Sequence, residues 1–443
     1  VIKFIRSLYF GRRFYYILFG IALLFLASFW IEWMYSITWI LTAIVCILVL
    51  AEISMLYSKS AITGNRLLPE KFSNSDENEV RITIKNNFRF KLFIEVIDEI
   101  PIQFQKRDFL KKFLIPAHSS EVFNYYLKPY DRGEYYFGNL NIFATSILKL
   151  VRRRFVFNKD QLVKVYPSFI QMRKLDFLAL DQKISMPGIK KIRRIGHTME
   201  FEQIKDYVRG DDVRTINWKA TAKHGNLMIN QFQDERAQPV YSIIDSGRVM
   251  KMPFEGLSLL DYAINSALAF SNVALRKKDK IGLVSFSKEI EVLQKASSRL
   301  SQLNKLMENL YNINTDYEDS DFGMLYGRMR KMIPHRSLIM LYTNFEHLSG
   351  LKRQLPYLKA IAKSHLLVVI FFENTEVSKI TNIQIASVAE GARQTLAEQF
   401  MHDKLLMQKE LQQNGINTLL TKPKDLSVNA INKYLEIKAR GLI

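Results

Sequence analysis

The sequence predicts an α/β chain with an N-terminal transmembrane helical hairpin, a β-sandwich-like module and a C-terminal doubly wound α/β domain. Three observations carry that prediction. Two stretches within the first 51 residues, 14–31 and 35–51, contain no charged side chain. Residues 60–165 show short alternating runs broken by turn signals, with no helical period. After residue 239, four short and nearly continuous apolar runs are separated by helical segments. The divisions fall at 1–58, 59–165, a connecting segment 166–235, and 236–443. At 48% hydrophobic and 24% charged residues in 443, the chain has the composition of a globular rather than a disordered protein.

Each apolar stretch near the N-terminus approaches the roughly 20 residues that cross a bilayer's hydrocarbon core. Glu32, Trp33 and Met34 lie close to the turn between them, and Trp30, Trp33 and Trp39 supply the interfacial aromatics. Lys3, Arg6, Arg12 and Arg13 precede the first stretch, and Lys59, Arg66 and Lys71 follow the second. By the positive-inside rule both ends are expected in the cytoplasm of a bacterial inner membrane. Glu52, at the inner end of the second stretch, is expected to reach the headgroups. The single cysteine, Cys46, rules out an internal disulfide and suits a reducing compartment.

The formal net charge of +20 includes the clusters Lys149/Arg152/Arg153/Arg154 and Lys190/Lys191/Arg193/Arg194. No nucleic-acid module signature accompanies them, so lipid at an anionic leaflet is the expected partner and nucleic acid is not.

In the β-rich module, "VRITI" alternates before a turn at Asn86-Asn87, and a second strand runs through Leu92–Ile97. Residues 119–144 repeat the scheme, with turns at 129–133 and 138–139. In the last domain, Val240–Ile244, Ile281–Phe286, Leu338–Tyr342 and Leu366–Phe372 read as strands buried on both faces of a parallel sheet. Helical segments at 257–275, 300–311, 322–333, 351–363, 388–414 and 426–440 separate and follow them. Ligands of such sheets bind at the carboxyl ends of the strands, where Asp245 and Thr343-Asn344 fall.

The first of these strands ends Asp245-Ser246-Gly247-Arg248-Val249. This position resembles the D-x-S-x-S metal-ion-dependent adhesion site of the von Willebrand factor A fold. That resemblance implies Mg²⁺ held by a carboxylate and two hydroxyls, with help from later loops. Gly247 and Val249 cannot supply the hydroxyls, and Arg248 adds a cation. Thr343, Asn344, Glu346, Thr315 and Asp316 remain oxygen donors for at most weak Mg²⁺ binding. The expectation is therefore no obligatory cofactor, with Asp245 capping the following turn or pairing with Arg248. Asp245, Arg248 and Glu346 then form an interaction surface.

"DYVRGDDVRTINWKATAKHG" (206–225) is the most distinctive stretch. Its Gly210, Asp211, Asp212, Arg214, Asn217, Trp218 and Lys219 are expected to form a salt-bridged turn followed by a strand whose Trp218 docks on the core. Taken with Glu200-Phe201, "YDRGEYYFG" (130–138), "YTNFE" (342–346), "FFENTE" (371–376) and "NKYLEIKARG" (432–441), it resembles the domain-of-unknown-function family 58 from residue 60 onward. The resemblance implies a membrane hairpin, a β-rich region and an A-type domain. It also implies association with a MoxR-type AAA+ ATPase and with other A-domain proteins.

Enzyme signatures are missing from the sequence. It contains no G-x-x-x-x-G-K-[ST] and no G-x-S-x-G, and its seven histidines show no paired spacing. The function expected is a membrane-anchored, non-enzymatic adaptor or assembly factor. The rival is a membrane-bound metal-dependent hydrolase using Asp211, Asp212 and Asp245.

Overall fold

The structure is a computed structural model that describes residues 2–58, 61–180, 200–208, 211, 213–233, 238–254, 256–315, 317–381 and 387–442. It divides into two compact units, residues 1–165 and 166–443.

In the first unit, helices Arg12–Ala27 and Glu32–Leu56 follow a short strand, Leu8–Phe10. At 16 residues, the first helix is about 24 Å long and falls short of a bilayer's hydrocarbon core. The second has 25 residues and, among the described residues, is the one helix long and apolar enough to cross a membrane. Glu52 is not at the headgroups. It is buried and accepts hydrogen bonds from the Ser146 hydroxyl and from the Leu150 and Val151 N–H groups at 3.1 and 3.0 Å. Three donors converging on one carboxylate offset its desolvation, which the sequence position alone did not reveal.

The β-rich region has a five-stranded antiparallel sheet in which Leu8–Phe10 pairs with Val151–Phe157 at its edge. The N-terminal residues thus contribute a strand to the β-rich fold. Two three-stranded sheets complete it, one of them Ile62–Leu67, Asn78–Asn86 and Ser120–Leu127. Alternate residues Val80, Ile82 and Ile84 are fully buried, as period-two patterning requires. The 149–154 cluster is engaged within the unit rather than spread for lipid. Lys149 lies over the Phe93 ring, Arg152 pairs with Glu95 at 2.9 Å, Arg153 donates to the Leu56 carbonyl, and Arg154 donates to Asn141. The 190–194 cluster lies outside the described residues.

In the second unit, five strands run parallel: β1 Pro239–Asp245, β2 Lys280–Phe286, β4 Leu338–Tyr342, β5 Leu366–Phe372 and β6 Asn417–Thr421. A sixth, β3 Ile290–Ser297, pairs antiparallel with β2, giving the order β3-β2-β1-β4-β5-β6. Successive side chains take opposite faces. Val240, Ile244, Met340 and Ile370 pack with helices Leu259–Arg276 and Leu426–Ala439. Ile243, Leu341, Val369 and Phe371 pack with Phe322–Met332, Leu348–Ser364 and Val388–Gln413. This two-sided burial is why the strands read as nearly continuous apolar runs. Ser258 and Asp261 form a capping box that starts the first of these helices. Asp321 caps Phe322–Met332 by accepting from Gly323 and Met324 N–H.

Candidate functional site at the strand ends

Asp245 ends β1 with 1% of its surface exposed. One carboxylate oxygen accepts from Gly247 N–H at 2.9 Å and from the Ser320 hydroxyl. The other accepts from the Thr343 hydroxyl at 2.6 Å. Burial pushes the carboxyl above its ordinary range, and these three donors oppose that shift. Asp245 therefore caps its own turn. Arg248 pairs with Asp319 at 3.5 Å instead of with Asp245.

Ser320 is the member that sequence reasoning missed. It lies in the 317–321 loop, whose position is set by backbone bonds Arg248 N–H to Glu318 O (3.0 Å) and Asp321 N–H to Ser287 O (3.0 Å). The signal was the polar run Glu318-Asp319-Ser320-Asp321 before an N-cap. A Cβ on Gly247 would stand 2.1 Å from the Ser320 Oγ, so the glycine in the hydroxyl position is what admits Ser320 to Asp245. Ser246 turns away and donates to Phe286 O at 3.0 Å and to Glu291 at 2.7 Å.

Next along the edge, the buried Lys404 ammonium donates to Asn344 Oδ1 at 2.8 Å and to the Phe345 carbonyl. Burial lowers its pKa to about 8, opposed by Glu346. The oxygens available to a metal are thus one carboxylate and two hydroxyls, and the Asn344 oxygen is already held by a cation. That donor set falls short of the near-octahedral oxygen shell Mg²⁺ requires. Among the described residues, no group of three or more His, Cys, Asp or Glu is placed to hold a metal ion. Thr315 is not among the residues holding Asp245, and Asp316 lies outside the described residues.

A cavity of about 380 Å³ opens beside Asp245, with Arg248, Phe322, Asn344, Glu346 and Arg353 in its lining. The described signature residues do not join it. Asp211 accepts from Lys205 at 3.1 Å and from Val208 N–H at 3.0 Å, within a two-stranded hairpin of Glu200–Asp206 and Met228–Gln233. Gly210 and Asp212 lie outside the described residues. Asn217 caps a short helix, Trp218–His224, by accepting from Ala220 N–H at 3.0 Å. The expected strand at Trp218 is therefore a helix, and Trp218 is 70% exposed rather than docked on the core. Arg214 and Lys219 are also exposed.

Residues 203–395 match the family described as "Protein of unknown function DUF58". That span is less than half of the chain. It contains the hairpin signature, Asp245 and the 342–346 loop; the resembling stretches at 130–138 and 432–441 lie outside it. The chain is 25% identical over 172 residues to YeaD of Bacillus subtilis (strain 168), an uncharacterized protein. The match covers 38% of this chain and 43% of YeaD, less than half of either. Among solved structures, the hypothetical protein BatB from Bacteroides thetaiotaomicron is 14% identical with a TM-score of 0.31, covering 46% of this chain and 99% of that one. The von Willebrand factor domain of the type V pili tip protein Mfa5 from Porphyromonas gingivalis is 10% identical with a TM-score of 0.30, covering 46% and 97%.

Proposed function

We propose that the chain is a membrane-anchored, non-enzymatic adaptor or assembly factor that docks a partner protein at the carboxyl ends of β1 and β4. The observation that carries this reading is the engagement of Asp245. Both carboxylate oxygens are taken by protein donors, so the residue shapes the strand-end surface instead of presenting a reactive group. Beside it, Arg248, Glu346 and Arg353 give the cavity charges of both signs for a polar protein contact. The hydrolase alternative needs Asp211, Asp212 and Asp245 to converge, yet Asp211 is spent on its own turn.

The partner proposed is a cytoplasmic MoxR-type AAA+ ATPase; other A-domain proteins are further candidates. Support for that class comes from the family resemblance alone. The proposed setting is a bacterial inner membrane, crossed twice, with both termini in the cytoplasm. Its support is the basic residues flanking the apolar helices. The surface is proposed to work without an obligatory metal.

A pull-down from detergent-solubilised membranes, with and without ATP, tests the proposal. Capture of an AAA+ ATPase is expected to survive EDTA and to be lost in Arg248→Glu and Glu346→Lys. Capture that EDTA abolishes, together with saturable micromolar Mg²⁺ or Mn²⁺ binding lost in Asp245→Ala, overturns the metal-free surface.

A further inference from the structure

The signature hairpin has an end that nothing so far uses. Tyr207 N–H donates to Leu227 O at 2.8 Å, and Asn217 N–H donates to Met228 O at 2.8 Å. Val208, Trp218 and Leu227 each lie within one residue of these cross-links, so one end of the hairpin displays all three. Their exposures are 62%, 70% and 45%, and Val213, leading into the Ile216–Ile229 bridge, is 62% exposed. Four large apolar side chains left in water within one hairpin call for an occupant. Cations neighbour them in the chain: Arg214, Lys219 and Lys223 are exposed. From Ile204 to Asn230 the described residues carry four Lys and Arg (Lys205, Arg214, Lys219, Lys223) against two carboxylates (Asp206, Asp211), and one of the two, Asp211, is paired with Lys205.

We infer that this end of the hairpin docks on an anionic lipid surface, with Trp218 at the level of the headgroups and Lys219 and Lys223 facing lipid phosphates. An apolar tip with tryptophan inside a basic collar is the chemistry of an interfacial membrane contact. The charge complements the negative cytoplasmic leaflet, and the contact weakens with salt. The chain also carries a helix able to cross a bilayer, which would keep lipid at high effective concentration around the hairpin. This inference is independent of the strand-end surface, because the described signature residues do not line that cavity.

The test uses the full chain with Trp30→Phe, Trp33→Phe and Trp39→Phe, so that Trp218 is the remaining tryptophan, reconstituted in nanodiscs. Brominated phosphatidylcholine, with and without phosphatidylglycerol, is the probe. With phosphatidylglycerol, Trp218 emission is expected to shift to the blue, to be quenched by the bromolipid and to be protected from iodide. Lys219→Glu with Lys223→Glu is expected to remove the dependence on phosphatidylglycerol. Emission quenched by iodide but not by bromolipid overturns the inference, as does protection from iodide without bromolipid quenching, which marks a protein contact. If the triple substitution fails to fold, an environment-sensitive dye on Leu227→Cys in a Cys46→Ser background reports the same two outcomes.

Discussion

Asp245 shows how one residue can keep its place in a fold while its surroundings are rewritten. In the sequence, Gly247 reads as the loss of a metal-ligating hydroxyl. In the structure, the space it leaves is filled by Ser320 from a loop 75 residues beyond Asp245. Returning the hydroxyl is therefore expected to harm. Gly247→Ser forces its side chain into the Ser320 Oγ and should cost about 1–3 kcal/mol, the range for overpacking a tight site. Ser320→Ala removes the obstructing oxygen, so the double variant should lose less than the sum of the two single ones. A double-mutant cycle by thermal melts checks this, and simple additivity would contradict the shared-space account. Lys404 carries a second prediction. Its folded pKa, about 8, lies below the ordinary lysine value of 10.5, so between these limits the unfolded chain binds more protons than the folded one. Stability thus rises with pH across that window, by up to about 1.4 kcal/mol per pH unit, and is unaffected by this group below it. Lys404→Met abolishes the slope while leaving Asn344 Oδ1 and the Phe345 carbonyl without their donor. Melts of both proteins in detergent at pH 8, 9 and 10 should therefore diverge; parallel profiles would mean that burial does not lower the Lys404 pKa.

At the scale of elements, legibility followed burial. The parallel strands were legible because both faces are covered, which favours apolar residues at all but Ser242 from Val240 to Ile244 and throughout Leu366 to Phe372. The edge strands were not. Ile290–Ser297 alternates exposed and half-buried residues, and Asn417–Thr421 is five residues long beside a helix C-terminus, so neither stands out from a loop. Trp218 failed differently. Its size suggested burial, but the stronger local signal was Asn217, an N-cap side chain that starts a helix and also donates to Asn230 at 2.8 Å. Of the strand-end site, Asp245, Thr343 and Asn344 were legible as residues at strand termini, whereas Ser320 and Lys404 reach it through long-range packing; the polar run 318–321 marks a loop but not the contact of Ser320 with Asp245. The hairpin gives a paired prediction. Asn217→Ala should cost about 1 kcal/mol or somewhat more through loss of the cap. Trp218→Ala, exposed as it is, should stay within about 0.5 kcal/mol. A melt in which Trp218→Ala is the more damaging substitution would place that side chain in a core after all.

At the scale of the molecule, the first unit ties an apolar helix to a β-rich fold through polar bonds at the helix end. Glu52 holds the 146–151 turn, the Arg153 guanidinium caps the Leu56 carbonyl, and Arg153 also lies over the Tyr57 ring at 4.4 Å. Glu52→Ala leaves the Leu150 and Val151 N–H groups without an acceptor and should cost about 1–3 kcal/mol for each one that stays buried. The same bonds bear on topology. Arg66, counted among the basic residues after the second apolar stretch, is buried in the folded unit and paired with Asp98, with its guanidinium over the Phe137 ring. It can bias orientation while the chain inserts but cannot face lipid once the unit has folded. The bias then rests on Lys3, Arg6, Arg12 and Arg13 on one side of the apolar pair and on Lys59 and Lys71 on the other. If both flanks stay in the cytoplasm, the 16-residue Arg12–Ala27 helix must cross with its turn residues Ser28–Ile31 or with local thinning of the bilayer. An alkaline-phosphatase fusion after Ile443 should then be inactive and a fluorescent-protein fusion bright. The opposite pair of results would mean that Glu32–Leu56 crosses alone, and it would place the strand-end surface out of reach of any cytoplasmic ATPase.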